Sequence, residues 1–169
     1  MLEVGIISED EPLELIEGEL VVVSPQGPLH SHLAAVVGER LLLAYGSAFL
    51  VRAHSPVDAS PLSLPEPDIA VVRKGRDYWR HLPTSADTVL VIELSLTSML
   101  RDRRKASIYA KAGYATYWSL NVDARTLEVH DELSAKGVYR SVKHFTESDT
   151  VQLPELDAVV TVRDLLPDS

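Results

Sequence analysis

The chain has no cysteine. That excludes disulfides, thiolate zinc sites, iron–sulfur ligation and a cysteine nucleophile, and it fits a reducing compartment. No apolar run nears the roughly 20 residues that span a bilayer. The longest, Leu33–Gly38 and Leu41–Tyr45, are split by Glu39 and Arg40. The opening Met1-Leu2-Glu3-Val4 has no basic segment, so no signal peptide is expected. A G-x-S-x-G elbow and a Walker phosphate loop are both missing, which leaves serine-nucleophile and P-loop chemistry without support. There is no internal repeat and no low-complexity tract. These absences lead us to expect a soluble, cytoplasmic protein.

What is present suits one domain over residues 1–169, with 46% hydrophobic residues to build a core. The net charge of −9 argues against a protein that coats nucleic acid. The charge is unevenly placed. Residues 1–68 carry 2 basic and 11 acidic side chains, whereas residues 69–149 carry 13 and 10. The positive middle holds two runs, Arg73-Lys74-Gly75-Arg76 and Arg101-Asp102-Arg103-Arg104-Lys105. They form either a compact basic patch on an acidic body or ordinary solvated surface.

The hydrophobic pattern predicts a strand at Glu19–Ser24, ended by Pro25, and a turn at Pro25–Pro28. A helix follows from about His30 to Tyr45, with Leu33, Val36, Val37, Leu41 and Leu43 at helical spacing and Gly46 as its stop. Ala48–Ala53 reads as a strand, and Ser55–Pro67, with four prolines, as an irregular loop. Asp68–Val72 and Thr88–Leu94 read as strands, Arg101–Ala112 as a helix ending at Gly113. Thr116–Val122, Arg125–His130, Val138–His144 and Asp157–Val162 read as further strands. A helical turn is expected near Asp164–Leu166. Apolar strands with little alternation imply a sheet covered on both faces. The order predicts an α/β fold, a central mixed sheet flanked by helices.

Glu93 is the most informative residue. It ends the run Val-Leu-Val-Ile-Glu-Leu, and carboxylates are rarely buried unless paired or bound to metal. Alternation places Val89, Val91, Glu93 and Ser95 on one face and Leu90, Ile92 and Leu94 on the other. Glu93 could tip into water, form a structural ion pair or ligate a metal. Asp68 follows Pro67 at a strand end, with Ala70 and Val72 on its face. Lys105 shares a helix face with Ile108, Tyr109 and Ala112, so it should point toward the sheet. The alternative is a lysine whose stem lies on apolar surface while the ammonium reaches solvent. Two acids on neighbouring strands suit Mg²⁺ or Mn²⁺, which take oxygen ligands and keep water. A lysine beside them can orient or deprotonate a water and offset charge on phosphorus.

Pro67-Asp68 followed by Glu93-Leu94-Ser95 resembles the PD-(D/E)XK nuclease pattern with its lysine displaced to Lys105. The wider chain resembles the Uma2 family, which is restriction-endonuclease-like. The matching pieces are Glu14–Leu20, Ser24-Pro25 followed by His30, Ser55–Asp58, Glu66–Val72, Val91–Ser95, Arg101–Lys105, Tyr109–Gly113 and Tyr117-Trp118. Together they cover roughly residues 13–166. The resemblance implies a nuclease-like fold and a metal-dependent phosphodiesterase site. Asp68 and Glu93 would be the metal ligands, Lys105 the catalytic cation, and Glu17 and His30 auxiliary residues. The chain departs from the pattern at Leu96, and the segment from Glu93 to Lys105 is one residue short. The lysine reaches the acids only if the turn absorbs that deletion.

Other candidates are weaker. His30 and His32 diverge by about 200° on a helix and cannot make a same-helix metal pair, which needs i, i+4 spacing. His30 lies near a helix N-terminus, a position suited to anions. Glu39 faces polar neighbours. Trp118 reads as core, and Trp79, after the first basic run, as the better nucleic-acid contact among the tryptophans. The expectation is a Mg²⁺- or Mn²⁺-dependent endonuclease acting on DNA, with Arg101, Arg103 and Arg104 on phosphates. By analogy with nucleases that cut both strands it would be a homodimer. The competing expectation is an inactive nuclease fold kept for protein binding or self-association.

Overall fold

The computed structural model describes residues 13–23, 27–95 and 99–167. Strands β1 (Leu13–Ile16) and β2 (Glu19–Val22) form a hairpin, followed by helix α1 (Pro28–Tyr45). Next come β3 (Phe49–Ala53), β4 (Ile69–Arg73), β5 (Thr88–Ser95) and helix α2 (Met99–Lys111). Strands β6 (Tyr117–Asn121), β7 (Thr126–Leu133), β8 (Tyr139–Thr146), β9 (Thr150–Gln152) and β10 (Val159–Thr161) complete the chain, with a 3-10 turn at Val162–Leu165.

Strands β3 to β8 form one six-stranded sheet in chain order. All neighbours run antiparallel except β5 and β6, which are parallel and joined by α2. That one crossover makes the sheet mixed, as the alternation of element types implied. β9 pairs with β10 in a separate two-stranded sheet.

Each face of the large sheet carries its own core. On one face α1 buries Leu33, Ala34, Val37, Leu41 and Tyr45 against Ile69, Val71, Leu90, Ile92, Leu94 and Trp118. On the other, α2 and the hairpin bring Ala106, Ile108, Tyr109 and Ile16 against Ala70, Val72, Val91 and Tyr117. Each fully buried Leu or Ile contributes roughly 1.5–3 kcal/mol relative to exposure. Trp118 is core, as expected.

Several expectations are corrected. Leu43 is 71% exposed: the buried seam of α1 runs through Ala34 and Tyr45 instead. Val89 belongs to the α1-side core, not with Val91. Val72 pairs with Thr88 although Val71 pairs with Leu90, so Val89 is the extra residue of a bulge that turns its side chain over. The hairpin strand β1 was not foreseen. It is joined to β2 by the two-residue turn Glu17-Gly18, with φ of 51° and 85°, a tight hairpin turn that favours glycine. β9 was also missed, being only three residues long. The turn expected at Pro25–Pro28 begins outside the described residues, as does Leu96.

Candidate active site

β4 and β5 deliver the two acids. Ile69 pairs with Ile92 in antiparallel register, Asp68 immediately precedes the first of these and Glu93 immediately follows the second, so both acids stand at the same end of that ladder. Both side chains are buried. Asp68 is fixed at both oxygens: Oδ2 accepts the Leu94 backbone N–H at 2.7 Å, and Oδ1 is hydrogen-bonded by His30 Nε2 at 2.7 Å. His30 stands in the first turn of α1, which Pro28 opens. A second imidazole, His54 just beyond β3, brings Nδ1 to 3.7 Å of the same oxygen. Its φ of 45° places it in the left-handed region.

Glu93 is gripped from α2. Lys105 Nζ lies 3.0 Å from Oε2, and the Tyr109 hydroxyl donates to Oε1 at 2.9 Å. Residues i and i+4 share a helix face, so one face of α2 holds both oxygens. The segment from Glu93 to Lys105, short as it is, still brings the ammonium to the acid. Glu14, on the inward face of β1, adds a third buried carboxylate with Oε1 3.5 Å from Lys105 Nζ.

The electrostatics follow from this crowding. Burial, with Asp68 and Glu14 nearby, pushes the Glu93 carboxyl up to about 8, and Lys105 only partly offsets it. Burial alone would pull Lys105 down, but Glu93, Glu14 and Asp68 outweigh it and hold its pKa above the usual lysine value. Those carboxylates favour the charged form of Lys105. Burial and the adjacent Glu93 raise the Tyr109 phenol well above its ordinary range, so it remains a donor. The hydrogen bond that His30 donates to Asp68 raises the His30 pKa, against burial. Glu66, two residues before Asp68, is also raised, by burial and by Glu14.

The donor set fits a hard cation. Asp68, Glu93 and Glu14 are buried oxygen donors, and the Lys105 ammonium lies 3.0 Å from Glu93 and 3.5 Å from Glu14. Among the described residues no three His, Asp or Glu side chains form a ready ion cage. Mg²⁺ and Mn²⁺ do not require one: one or two carboxylates, water and substrate phosphate suffice.

The Uma2 family, described as "Putative restriction endonuclease", matches residues 2–163. The chain belongs to the Uma2 family. A crystal structure described as a putative nuclease belonging to DUF820, from Anabaena variabilis ATCC 29413, superposes with a TM-score of 0.67 at 18% identity. The match covers 94% of this chain and 92% of that one, and it shows a common fold. No curated protein matches.

Of the residues singled out from the Uma2 pattern, Asp68, Glu93, Lys105 and His30 come together. Glu17 does not. It sits in the hairpin turn, 43% exposed, paired with Lys111 at 3.0 Å and Arg104 at 3.5 Å. Glu14, three residues earlier, takes the inward place because alternation along β1 buries Glu14 and Ile16. Arg104 is tied to Glu17 and Glu19, Arg103 is exposed, and the side chain of Arg101 lies outside the described residues. The two basic runs do not merge into one patch. The connector carrying the first leaves β4 at the end away from Asp68, and Arg73 and Arg76 pair there with Glu155 and Asp87. Trp79 is 76% exposed in that connector, with Arg80 4.2 Å above its ring. Sequence reasoning missed Glu14, His54 and Tyr109. The i+4 spacing of Tyr109 from Lys105 was an available signal; nothing local marked Glu14 or His54. Among the described residues no helix is long and apolar enough to cross a membrane.

Proposed function

We propose that this chain is a metal-dependent endonuclease that hydrolyses phosphodiester bonds in DNA, using Mg²⁺ or Mn²⁺. The observation that carries this reading is Lys105 lying 3.0 Å from Glu93, with Asp68 hydrogen-bonded to the backbone of the next residue, Leu94. Asp68 and Glu93 would hold the ion. When bound there it supplies polarisation of a phosphate oxygen and a lowered pKa for water.

The chain's own groups do the rest. His30 and the Leu94 N–H keep Asp68 in one orientation, and Tyr109 does the same for Glu93. The Lys105 ammonium donates to the attacking water or to a non-bridging oxygen and offsets the charge that builds on phosphorus. Water oxygen bonds to phosphorus and loses a proton. The bond to one deoxyribose oxygen breaks, and that oxygen leaves as a hydroxyl once protonated. Arg103, exposed on α2, would meet a flanking phosphate, which would make binding salt-dependent. Cutting both strands of a duplex would take two copies of the chain.

The test is cleavage of single- and double-stranded DNA with Mg²⁺ or Mn²⁺, beside Asp68→Asn and Lys105→Ala. We expect cation-dependent cleavage in the wild type and loss of at least about 100-fold in each variant, the scale of removing one charge-stabilising donor. Cleavage that survives both substitutions overturns the assignment.

A further inference from the structure

We propose that Glu14 is a positioning residue: it anchors Lys105, so that the ammonium stays in place when Glu93 gives its charge to a bound cation. This rests on the metal-dependent reading above.

The burial of Glu14 is unusual. Glu14 is a carboxylate with 7% of its side chain exposed, on a hairpin outside the main sheet. An apolar residue of similar size would pack there at lower cost, because a buried ion pair seldom recovers its desolvation penalty. Yet Glu14 points at Lys105 Nζ from 3.5 Å, with Glu93 at 3.0 Å from the same nitrogen. One ammonium is held between two carboxylates from different sheets.

The hairpin is built to keep that distance. Ile16, next inward on β1, packs in the core that holds Ile108 of α2. The hairpin is also tied to the loop that leads into Asp68. Leu64 N–H donates to Leu15 O at 2.8 Å, Gly18 N–H to Leu62 O at 2.7 Å, and Glu17 N–H to Ser63 Oγ at 2.9 Å. The hairpin thus spans from the helix carrying Lys105 to the segment delivering Asp68, and Glu14 lies on its inner face.

The chemistry gives Glu14 a distinct task. Glu93 cannot serve fully as both cation ligand and sole counterion of Lys105. With Glu14 present, Lys105 keeps an anionic partner and does not compete with the cation for Glu93. Without it, Lys105 leans wholly on Glu93, and cation binding weakens.

This predicts a non-additive double-mutant cycle. Mn²⁺ affinity is measured by calorimetry on the wild type, Glu14→Gln, Lys105→Met and the double variant. Thermal melts confirm that each is folded. Glu14→Gln should weaken Mn²⁺ binding about tenfold, within the usual coupling of contacting groups. In the Lys105→Met background the same change should have little effect, because there is no ammonium left to restrain. Glu14→Asp should recover part of the loss. An equal loss in both backgrounds, or none in either, overturns the proposal while leaving the nuclease reading intact. A wild type that binds no Mn²⁺ and cleaves nothing takes both down together.

Discussion

Replacing Tyr109 with Phe is the sharpest probe of how the site is held. The phenol is fully buried and gives one hydrogen bond, 2.9 Å to Glu93 Oε1. Phe fills nearly the same space, so no cavity forms and packing against Tyr114 and Tyr117 is kept. What is lost is one donor to a buried carboxyl. Hydrogen bonds to charged groups are worth about 1.5–3 kcal/mol. For a chain of this size each kcal/mol moves the melting temperature roughly 2–4 °C. The expected drop is therefore about 3–12 °C by differential scanning calorimetry.

The drop should also depend on pH. Burial pushes the Glu93 carboxyl up to about 8, so its charge grows as pH rises through that range and it leans harder on its donors. The deficit of Tyr109→Phe should thus be larger at pH 9 than at pH 6. Tyr139→Phe is the control, since its hydroxyl donates only to the Tyr114 carbonyl at 2.8 Å. That neutral bond contributes about 1 kcal/mol, and its loss should not vary across the same range. A Tyr109→Phe melt within 1 °C of wild type, or a deficit that shrinks with rising pH, refutes this account of Glu93.

Further outcomes follow from the same geometry. Glu93 is raised on folding, so its contribution to stability is complete below its unfolded pKa and fades as pH climbs through about 8. Without added cation, Glu93→Gln should flatten the decline in stability between about pH 5 and 8, read from urea midpoints at constant ionic strength. His30 is raised too, by Asp68, and its stabilising share is present below about 6.5 and lost as pH passes its folded value. His30→Ala should therefore cost more stability at pH 6 than at pH 9, and an equal cost at both would remove the His30–Asp68 pairing from the explanation. Gly137 has φ of 69°, and an added Cβ would stand 2.8 Å from the Lys111 Cα. Gly137→Ala should destabilise by about 1–3 kcal/mol, from overpacking and backbone strain, visible as a lower urea midpoint. An unchanged midpoint would mean that the turn relaxes freely.

Much of the site was legible because its carriers are regular elements. A carboxylate in an otherwise apolar strand stands out, and Lys105 lies on the apolar stripe of its helix. Strands close in the chain follow from turn chemistry and alternation, so β4, β5, β6 and β8 were readable to within two residues and β7 to within three. Val89 shows the limit: a bulge reverses one side chain without any local mark, because it is the partner strand that sets the register. Glu14 and Glu17 show another. Both sit in one acidic stretch, and only the docking of the hairpin on α2 decides which faces Lys105.

Composition and periodicity, then, were enough for most element types, the two-sided sheet and the choice of Asp68, Glu93 and Lys105 as candidates, since burial and alternation are local consequences of side-chain chemistry. Tertiary structure alone decided what meets those groups: His30 and His54 at Asp68, Tyr109 at Glu93, and Glu14 at Lys105. These partners come from segments up to 91 positions apart. Their meeting depends on how separate elements pack, which no local pattern encodes.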